Sequence, residues 1–272
     1  MRKVAYILFL SFWASAALAQ QNCNIYLYQG DTTMYKACLM SEKTSGFYQF
    51  SKEYQTILDS AIAINPKFSW AYRHKSTAYL KSGEFVKWKQ LIDKAVELEP
   101  KQHLGYRGWC RYQFFRDYKG AIADIERLKS LNNYDIGYSA NGDYHLEIAR
   151  AIYYDAVGQK SNAISIIENQ LESPDYEAGT YDYLHLGVFY LDAKRYKEAI
   201  TALEKQLQRN PIAEAHYYLA KVYAAQVKVD KEKESLLQAK GLLNEGYRMF
   251  DPYTQPYHKI YSIQVEEELA GM

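Results

Sequence analysis

The stretch "YDYLHLGVFYLDAKRYKEAITALEKQLQRNP", residues 181–211, decides the fold, because it consists of two helical segments joined by a short turn. Its second segment repeats apolar residues at helical spacing and ends at Pro211, which cannot continue a helix. Similar helical runs end at Pro66 and at Pro100, and 34 residues separate these two prolines. A helix–turn–helix unit that recurs at a fixed period predicts a repeat protein, in which each unit buries its apolar face against its neighbours.

The period and the residues at its fixed positions resemble the tetratricopeptide repeat (TPR), a 34-residue helix–turn–helix pattern. When each terminal proline is counted as position 32, small or alanine residues fall at positions 8, 20 and 27 and tyrosine falls at position 11. Position 8 holds Ser76, Cys110, Ala151, Gly187 and Ala220, position 11 holds Tyr79, Tyr154, Tyr190 and Tyr223, position 20 holds Ala121, Ala163 and Ala199, and position 27 holds Ala61, Ala95 and Ala239. The resemblance covers most of the chain. It implies an all-α, TPR-type α-solenoid of about five to six helix–turn–helix units with a C-terminal capping helix.

The units differ in how well they follow the pattern. Trp88 occupies position 20, where alanine is usual, and the turn "FFRDYKG" makes the third unit one residue short. A polar loop insertion, 132–142, separates the third unit from the fourth. It is either a plain surface insertion or a partner-binding loop, since loops on rigid scaffolds often carry contacts. The predicted units are 36–66, 67–100, 101–133, 143–175, 180–211 and 212–249, followed by a C-terminal cap over 250–272.

Residues 1–19 have the features of a secretory signal peptide. A short basic start is followed by an apolar run that ends at Ala17-Leu18-Ala19, a small-residue cleavage site. This run is too short for a comfortable membrane span, and no later run reaches that length. We therefore expect an exported protein, periplasmic or secreted, whose mature chain begins at Gln20 and has no transmembrane segment. Lipid attachment at Cys23 is disfavoured, because Gln-Gln-Asn precedes it where a lipoprotein signal needs small and apolar residues.

Export permits disulfide bonds, and Cys23 and Cys38 lie close together in the sequence before the first clear repeat. A bridge between them would tether the N-terminal segment 20–35 and close a loop of about 15 residues, a constraint of about 3 kcal/mol in the chain-entropy treatment. The alternative is a metal or redox pair, but the C-x-x-C spacing and nearby histidines are lacking. Cys110 is left over, and its position-8 slot predicts a buried, inert thiol.

Composition and motifs argue against catalysis and against nucleic acid as a partner. The 33 basic and 32 acidic residues nearly cancel, so no basic surface is indicated. The signatures of metalloproteases, serine hydrolases, phosphate-binding loops and dinucleotide-binding loops are missing, and the six histidines are scattered. We therefore expect a protein that is not an enzyme, with no catalytic residues, no cofactor and no metal.

The remaining functional signal lies on the first helices of the units, which in TPR arrays line a concave groove. The predicted ligand-binding residues are Trp70, Arg73, Arg107, Arg111, Phe114, Phe115, Tyr181 and Tyr217, and Asp155 of the fourth unit is expected to face the same way. Three neighbouring arginines would hold a carboxylate through charge-assisted, bidentate hydrogen bonds. The expected partner is therefore a protein or peptide with an acidic or C-terminal carboxylate group. The alternative is that these arginines pair with acidic groups of neighbouring helices.

These features predict an exported scaffold that binds a protein or peptide in the concave groove, at equilibrium and without turnover. A second interpretation is a glycan- or nutrient-binding accessory protein of a bacterial envelope. It follows from the 28 tyrosines, because tyrosine rings stack well on sugars. Binding to glycans in place of proteins would distinguish the two functions.

Overall fold

The computed structural model describes residues 22–132 and 135–272, and within them the secondary structure is helical throughout, with no strand. The chain divides into two compact units, the first ending at Leu98 and the second beginning at Glu99. In the first unit, α2 packs against α3 and α4 packs against α5. Its helices are α1 (Asn24–Tyr28), α2 (Thr32–Glu42), α3 (Lys52–Ile64), α4 (Ser69–Ser82) and α5 (Phe85–Leu98).

The second unit contains four helix hairpins and a final helix. Its helices are α6 (Pro100–Phe115), α7 (Tyr118–Leu131), α8 (Leu146–Ala156), α9 (Lys160–Glu172), α10 (Asp182–Asp192), α11 (Tyr196–Arg209), α12 (Ala213–Ala225), α13 (Val229–Glu245) and α14 (Ser262–Ala270). The hairpins are α6/α7, α8/α9, α10/α11 and α12/α13, and the first helices of successive hairpins also touch one another. This arrangement confirms the all-α, TPR-type fold class.

The hairpin α10/α11 shows why the quoted stretch folds as it does. On α11 the buried residues Ala199, Ala202, Leu203 and Gln206 follow the three-and-four spacing of an amphipathic helix. On α10 the small residue Gly187 lets the two helices approach closely, because an ideal Cβ there would lie 2.6 Å from Leu203 Cγ. The glycine at position 8 is therefore required by the packing of its own hairpin.

In α6 the small contact residue is Gly108, which differs from the predicted Cys110. An ideal Cβ on Gly108 would lie 3.2 Å from Asp124 Cβ and 3.4 Å from the carbonyl oxygen of Ala121. Gly108 thus meets α7 as Gly187 meets α11, and the register of α6 is shifted by two residues from the predicted one. Cys110 is nevertheless buried within α6.

The turns between paired helices require a left-handed backbone residue. Gly83 supplies it between α4 and α5, and Gly158 supplies it between α8 and α9. The other three turns of this kind use Arg116 (φ 53°), Lys194 (φ 58°) and Val227 (φ 58°). A side chain in this region is strained by about 1–2 kcal/mol relative to glycine, so packing of the hairpins holds these three turns in shape.

The N-terminal part of the first unit is held by a disulfide and a small core. Cys23 and Cys38 are joined by a disulfide bond, with their Cα atoms 5.5 Å apart. Both cysteines are buried in a cluster with Tyr54, Leu58 and Phe68. The bridge connects the residue that precedes α1 to the middle of α2, and so fixes α1 on the first hairpin. The predicted signal peptide 1–19, with its cleavage site, lies outside the described residues.

The last hairpin is covered by α14. Ile260 and Val265 are buried in a cluster with Ala213, Ala220 and Leu236 from α12 and α13. This helix covers the apolar face that ends the row of hairpins, as the capping-helix prediction required. Among the described helices, none is both long and apolar enough to cross a bilayer.

Replacing Gly187 by alanine is expected to destabilise the second unit, whereas the matched change Gly241→Ala should stabilise it. Both glycines lie inside helices, so alanine gains up to about 1 kcal/mol in helix propensity at each site. Only Gly187 faces a packed neighbour, and overpacking there costs about 1–3 kcal/mol; nothing lies within 4 Å of a Cβ at Gly241. Thermal unfolding of both variants checks this, and an equal rise in Tm for both would contradict the role given to Gly187.

Candidate functional site

The C-terminal segment 250–261 runs over the first helices of the second unit. We call the surface beneath it the inner face, formed by Tyr112, Gln113, Arg116, Asp155, His185, Phe189, Glu214 and Tyr218. These residues come from α6 and its C-terminal end, α8, α10 and α12. The segment has no helix or strand of its own, and it lies on the inner face as an irregular stretch with bends at 252–254 and a turn at 257–258.

Polar contacts with α6 hold the first half of the segment. Gln113 Nε2 donates to Asp251 Oδ2 at 3.0 Å, and the Arg116 guanidinium donates to the carbonyl oxygen of Gln255. The other carboxylate oxygen of Asp251 accepts from the backbone N–H groups of Tyr253 and Thr254, at 2.8 and 2.7 Å. The aspartate therefore both shapes the turn in the segment and attaches it to α6.

A tyrosine and a histidine hold the second half. The Tyr257 hydroxyl donates to Asp155 Oδ2 on α8 at 2.9 Å, and the Tyr257 backbone hydrogen bonds with the Tyr112 hydroxyl. His258 Nδ1 lies 2.9 Å from His185 Nδ1 on α10. The His258 carbonyl oxygen accepts a hydrogen bond from the Tyr218 hydroxyl on α12 at 3.2 Å. Two consecutive side chains thus reach three of the first helices.

Aromatic rings surround this pair of residues. The His258 ring lies 5.7 Å from Phe189 and 5.8 Å from Tyr218 between centroids, in edge-to-face geometry. The Tyr257 ring meets Tyr118 edge-on at 6.3 Å. Such ring pairs contribute about 0.5–1.5 kcal/mol each beyond the area they bury. Part of the high tyrosine content is therefore explained by this lining.

Burial changes the acid–base properties of the inner face. Burial lowers the pKa of His185 to about 3, and burial followed by the charge of His185 lowers the pKa of His258 well below its usual range. Both imidazoles are therefore neutral at pH 7, and one donates its Nδ1 hydrogen to the other. Burial also raises the pKa of Asp155, against the opposing hydrogen bond from Tyr257.

The fit between the segment and the inner face leaves polar atoms unsatisfied. Within the described residues, Asp155 Oδ1, Glu214 Oε1 and Arg116 Nη1 are buried without a hydrogen-bond partner. Each buried group of this kind costs about 1–3 kcal/mol. His258 adds backbone strain, since its φ is 67°. The segment is therefore bound at a measurable energetic cost.

Two predicted ligand residues, Arg107 and Arg111, are held by the second helix of their own hairpin. Arg107 makes a bidentate pair with the Asp124 carboxylate, with Nε–Oδ2 and Nη2–Oδ1 distances of 2.9 and 2.5 Å. Arg111 Nη1 lies 3.2 Å from Asp124 Oδ2 and donates to the carbonyl oxygen of Gly120 at 2.9 Å. The alternative that these arginines pair with acidic groups of neighbouring helices therefore holds for both.

Two other predicted residues of the second unit, Tyr181 and Tyr217, contact C-terminal residues. The Tyr181 side chain hydrogen bonds with the backbone of Phe250, and the Tyr217 hydroxyl donates to Glu268 on α14 at 2.7 Å. The C-terminal residues thus cover both tyrosines. Phe114 and Phe115 are half-buried at the end of α6.

Trp70 and Arg73 lie in the first unit, on α4, the first helix of its hairpin. The half-buried Trp70 ring stacks on Phe68 with a centroid distance of 5.9 Å. Arg73 Nη1 lies 3.2 Å from His74 Nε2. Their predicted role in ligand binding stays a prediction, as does that of the other six residues.

The predictions missed most of the α6 contribution to the inner face. The cause is the two-residue shift at Gly108, which turns Arg107 and Arg111 towards α7 and presents Tyr112 and Gln113 to the segment. The sequence does contain a signal for this, because a glycine in the middle of a first helix occurs at both Gly108 and Gly187. Asp155 was expected to face inward, and it contacts Tyr257.

A second concave surface lies beside the polar loop. A cavity of about 590 Å³ is lined by Lys129, Tyr138, His145 and Glu147, among others. His145 Nε2 lies 2.6 Å from Asp135 Oδ1, and Lys129 Nζ lies 2.5 Å from Glu147 Oε1, so these side chains contact one another within the cavity wall. Within 22–132 and 135–272, no three acidic, histidine or cysteine side chains are grouped to hold a metal ion.

Replacing Arg107 by alanine is expected to lower the free energy of unfolding of the second unit by about 3 kcal/mol. The reason is that the Asp124 side chain is only 4% exposed, so its carboxylate would be left buried with Arg111 as its remaining partner. The control is Lys160→Ala, since the pair of Lys160 with Asp192 is exposed and contributes below about 1 kcal/mol. Chemical denaturation measures both, and a stability unchanged by Arg107→Ala would contradict the stabilising role given to the pair.

Stability is expected to fall as the pH drops below 6.5, and to fall less in the double variant His185→Gln, His258→Asn. In the unfolded chain both histidines take up protons near pH 6.5. In the folded protein burial keeps both neutral at that pH, and His185 has a pKa of about 3. Each buried imidazole thus lowers the free energy of unfolding by up to about 1.4 kcal/mol for each pH unit below 6.5. Asparagine tolerates the left-handed backbone at position 258.

The groups facing the pair are Tyr144, Tyr218 and Tyr257, with Asp155 beyond Tyr257. Asp155 acts in the opposite direction, because a raised carboxyl pKa favours the folded state as the pH falls. It is present in both proteins, so the difference between them reports the histidines alone. Urea denaturation between pH 7 and 4.5 provides the comparison, and parallel curves would refute the assignment.

Comparisons with known proteins agree with this architecture. No model of a protein family matches the sequence, and no curated protein matches it. Solved structures of similar fold and low sequence identity include three repeat proteins. Pseudomonas aeruginosa PilF matches with a TM-score of 0.63 and 13% identity, covering 88% of this chain and 99% of its own.

PilW, described as a widely conserved type IV pilus biogenesis factor, matches with a TM-score of 0.59 and 15% identity over 78% of this chain and 94% of its own. YrrB, described as a TPR protein with an unusual peptide-binding site, matches with a TM-score of 0.55 and 18% identity over 69% of this chain and 93% of its own. Identities this low establish the fold alone. The helix hairpins, their close contacts at Gly108 and Gly187, and these similarities agree with one another. The chain therefore has the fold of the tetratricopeptide repeat proteins.

Proposed function

We propose that this protein is an exported scaffold that binds a segment of another protein on the first helices of its hairpins. Binding would occur at equilibrium, without a chemical step. The observation that carries the proposal is the segment 250–261 on the inner face. A stretch without regular secondary structure is held there by side chains from all four first helices of the second unit. A surface that accommodates an irregular segment of its own chain is suited to an irregular segment of another.

The similar solved structures support the same class of function. One of them is described as having a peptide-binding site, and another as a pilus biogenesis factor. Repeat proteins of this kind use surfaces built from many helices, which suits extended partners. We extend this to the present chain as binding of a protein or peptide partner.

Export is part of the proposal. The basic start, the apolar run and the Ala-Leu-Ala site within 1–19 support it. The disulfide between Cys23 and Cys38 is compatible with an oxidising compartment, where such bonds persist. We propose the periplasm or the extracellular medium as the location.

We further propose that the partner carries a carboxylate group, which one arginine of the predicted set would bind. Asp124 already occupies the guanidinium groups of Arg107 and Arg111, so these two residues stabilise the α6/α7 hairpin. We keep Arg73, on α4 of the first unit, as the predicted candidate for binding an acidic or C-terminal carboxylate group; its Nη1 lies 3.2 Å from His74 Nε2.

Reversing the charge at Arg73 is expected to reduce partner capture at least tenfold while the protein stays folded. The experiment immobilises the purified chain, exposes it to envelope and medium fractions of the cells that make it, and quantifies the retained proteins. Arg73→Glu is compared with Lys52→Glu, an equal charge change at the exposed first residue of α3, where an acidic residue suits the helix N-terminus. Far-UV circular dichroism verifies folding of both variants.

Equal capture by the two variants would remove Arg73 from the site. Failure of every variant and of the unchanged protein to retain any protein would refute the scaffold function. Binding of the same protein to a glycan array, without any retained protein, would support the glycan-binding alternative.

A further inference from the structure

We propose that residues 250–261 act as an internal stand-in for the partner, and that the partner is a peptide whose acidic residue precedes a tyrosine by six positions, with a second ring-bearing residue after the tyrosine. On binding, this peptide would take the places of Asp251, Tyr257 and His258 on the inner face. The inference rests on the proposed function and specifies its ligand. It follows from the contacts of the segment, its attachment at both ends and the energetic cost of holding it.

The spacing of the ligand follows from the anchoring points. Gln113 on α6 receives the carboxylate of Asp251, and Asp155 on α8 receives the hydroxyl of Tyr257. Between them Arg116 binds a backbone carbonyl, which every peptide has. The ring of the next residue fits among His185, Phe189 and Tyr218. A competing peptide needs these groups at these intervals.

The segment can leave while the hairpins stay in place. Before it, the Met249 N–H donates to Glu214 Oε2 at 3.1 Å and the Ala213 N–H donates to the Tyr247 carbonyl oxygen at 2.9 Å. At its end, Ile260 stays buried with α14 against α12 and α13, so residues 250–259 are the part that opens. The stretch between these attachments is irregular, and Tyr253 is 62% exposed. Local opening of such a stretch needs little free energy compared with unfolding of a hairpin.

The bound state of the segment contains defects that a better ligand would correct. Asp155 Oδ1 and Arg116 Nη1 are buried and lack a hydrogen-bond partner within the described part of the chain. The left-handed backbone of His258 is strained, with φ at 67°. A peptide with relaxed backbone geometry that supplies a donor to Asp155 and a carboxylate to Arg116 would form hydrogen bonds that the segment does not form, and would bind more tightly.

Tethering explains why an imperfect segment still occupies the face. A segment attached at both ends acts at an effective concentration of about millimolar. A free peptide therefore competes against the segment. The apparent affinity of the peptide equals its affinity for the open face multiplied by the fraction of time that the face is open. Weakening the segment should consequently strengthen the binding of a free peptide.

The test uses the whole chain and a labelled synthetic peptide, FDPYTQPYHKIY, which corresponds to residues 250–261. In the variant Tyr257→Ala, His258→Gly two of the three anchoring side chains are removed from the segment, and the inner face is unchanged. Glycine suits the positive φ of position 258. Fluorescence anisotropy should show the peptide binding to this variant at least tenfold more tightly than to the unchanged protein. A control peptide with the same tyrosine and histidine replaced by alanine should bind at least tenfold more weakly to the variant.

Equal binding of the peptide to both proteins, or equal binding of both peptides, would overturn the proposal. So would a variant and an unchanged protein that exchange segments to form dimers, since the occupant would then be a second copy of this chain. Circular dichroism and thermal unfolding verify that the variant is folded. If it is not, Tyr257→Phe alone, which removes only the hydroxyl bonded to Asp155, should still raise peptide affinity severalfold.

A competition arm distinguishes this inference from the proposed function. Proteins retained by the unchanged chain should be released by the 250–261 peptide and not by its control. Retained proteins that the peptide fails to release would refute the inference and leave the scaffold function standing. Tight peptide binding to the variant, with no protein retained by either form, would refute the scaffold function instead.

Discussion

The close contact between the two helices of each hairpin is the constraint on which the second unit depends. At Gly187 an ideal Cβ would lie 2.6 Å from Leu203 Cγ, which leaves no room for a side chain, and at Gly108 it would lie a tight 3.2 Å from Asp124 Cβ on α7. The first helices of successive hairpins touch one another as well. Together they form the inner face, which no single hairpin could present.

The inner face buries several polar groups, each of which would destabilise the folded protein if it were buried without hydrogen-bond partners. A carboxylate with raised pKa, two neutral imidazoles and several hydroxyls are buried together and satisfy one another only in part. Buried polar networks of this kind specify one arrangement strongly when complete and are weak when incomplete. The segment 250–261 completes most of the network and leaves some atoms unsatisfied. Favourable contacts and unsatisfied atoms therefore oppose each other where the segment lies on the inner face, whereas α14 is held by a fully packed apolar cluster.

The sequence was sufficient for the fold and insufficient for the site, for physical reasons. Helix hairpins produce periodic patterns, so the 34-residue period, the small residues and the capping helix could be predicted. The spacing of Cys23 and Cys38 likewise favoured a bridge, and the structure contains it. In α6, however, Gly108 and Cys110 were both small enough for the contact position, and the pattern does not distinguish them. Only the packing against Asp124 and Ile125 selects the glycine.

The docked segment was beyond prediction because its contacts are not periodic. Nothing in "DPYTQPYHKIY" indicates which helices it will touch, since its partners lie from 40 to more than 130 residues away in sequence. Asp155 could be placed on the inner side from its repeat position, but its hydrogen bond with Tyr257 could not. Periodic sequence patterns describe which face of a helix is buried. They carry no information about an irregular stretch that returns to that face.

The attachment of the segment at both ends has a consequence for proteolysis. Tyr253 and Phe250 are exposed in a stretch without helix or strand, where proteases cut most readily. One cut there would release no fragment, because α14 remains buried against α12 and α13. It would nevertheless turn a closed loop into two free tails, each attached at one end, and lower the effective concentration at which they compete for the inner face. A single nick would then shift the inner face towards its open form, with almost no change in mass or helix content.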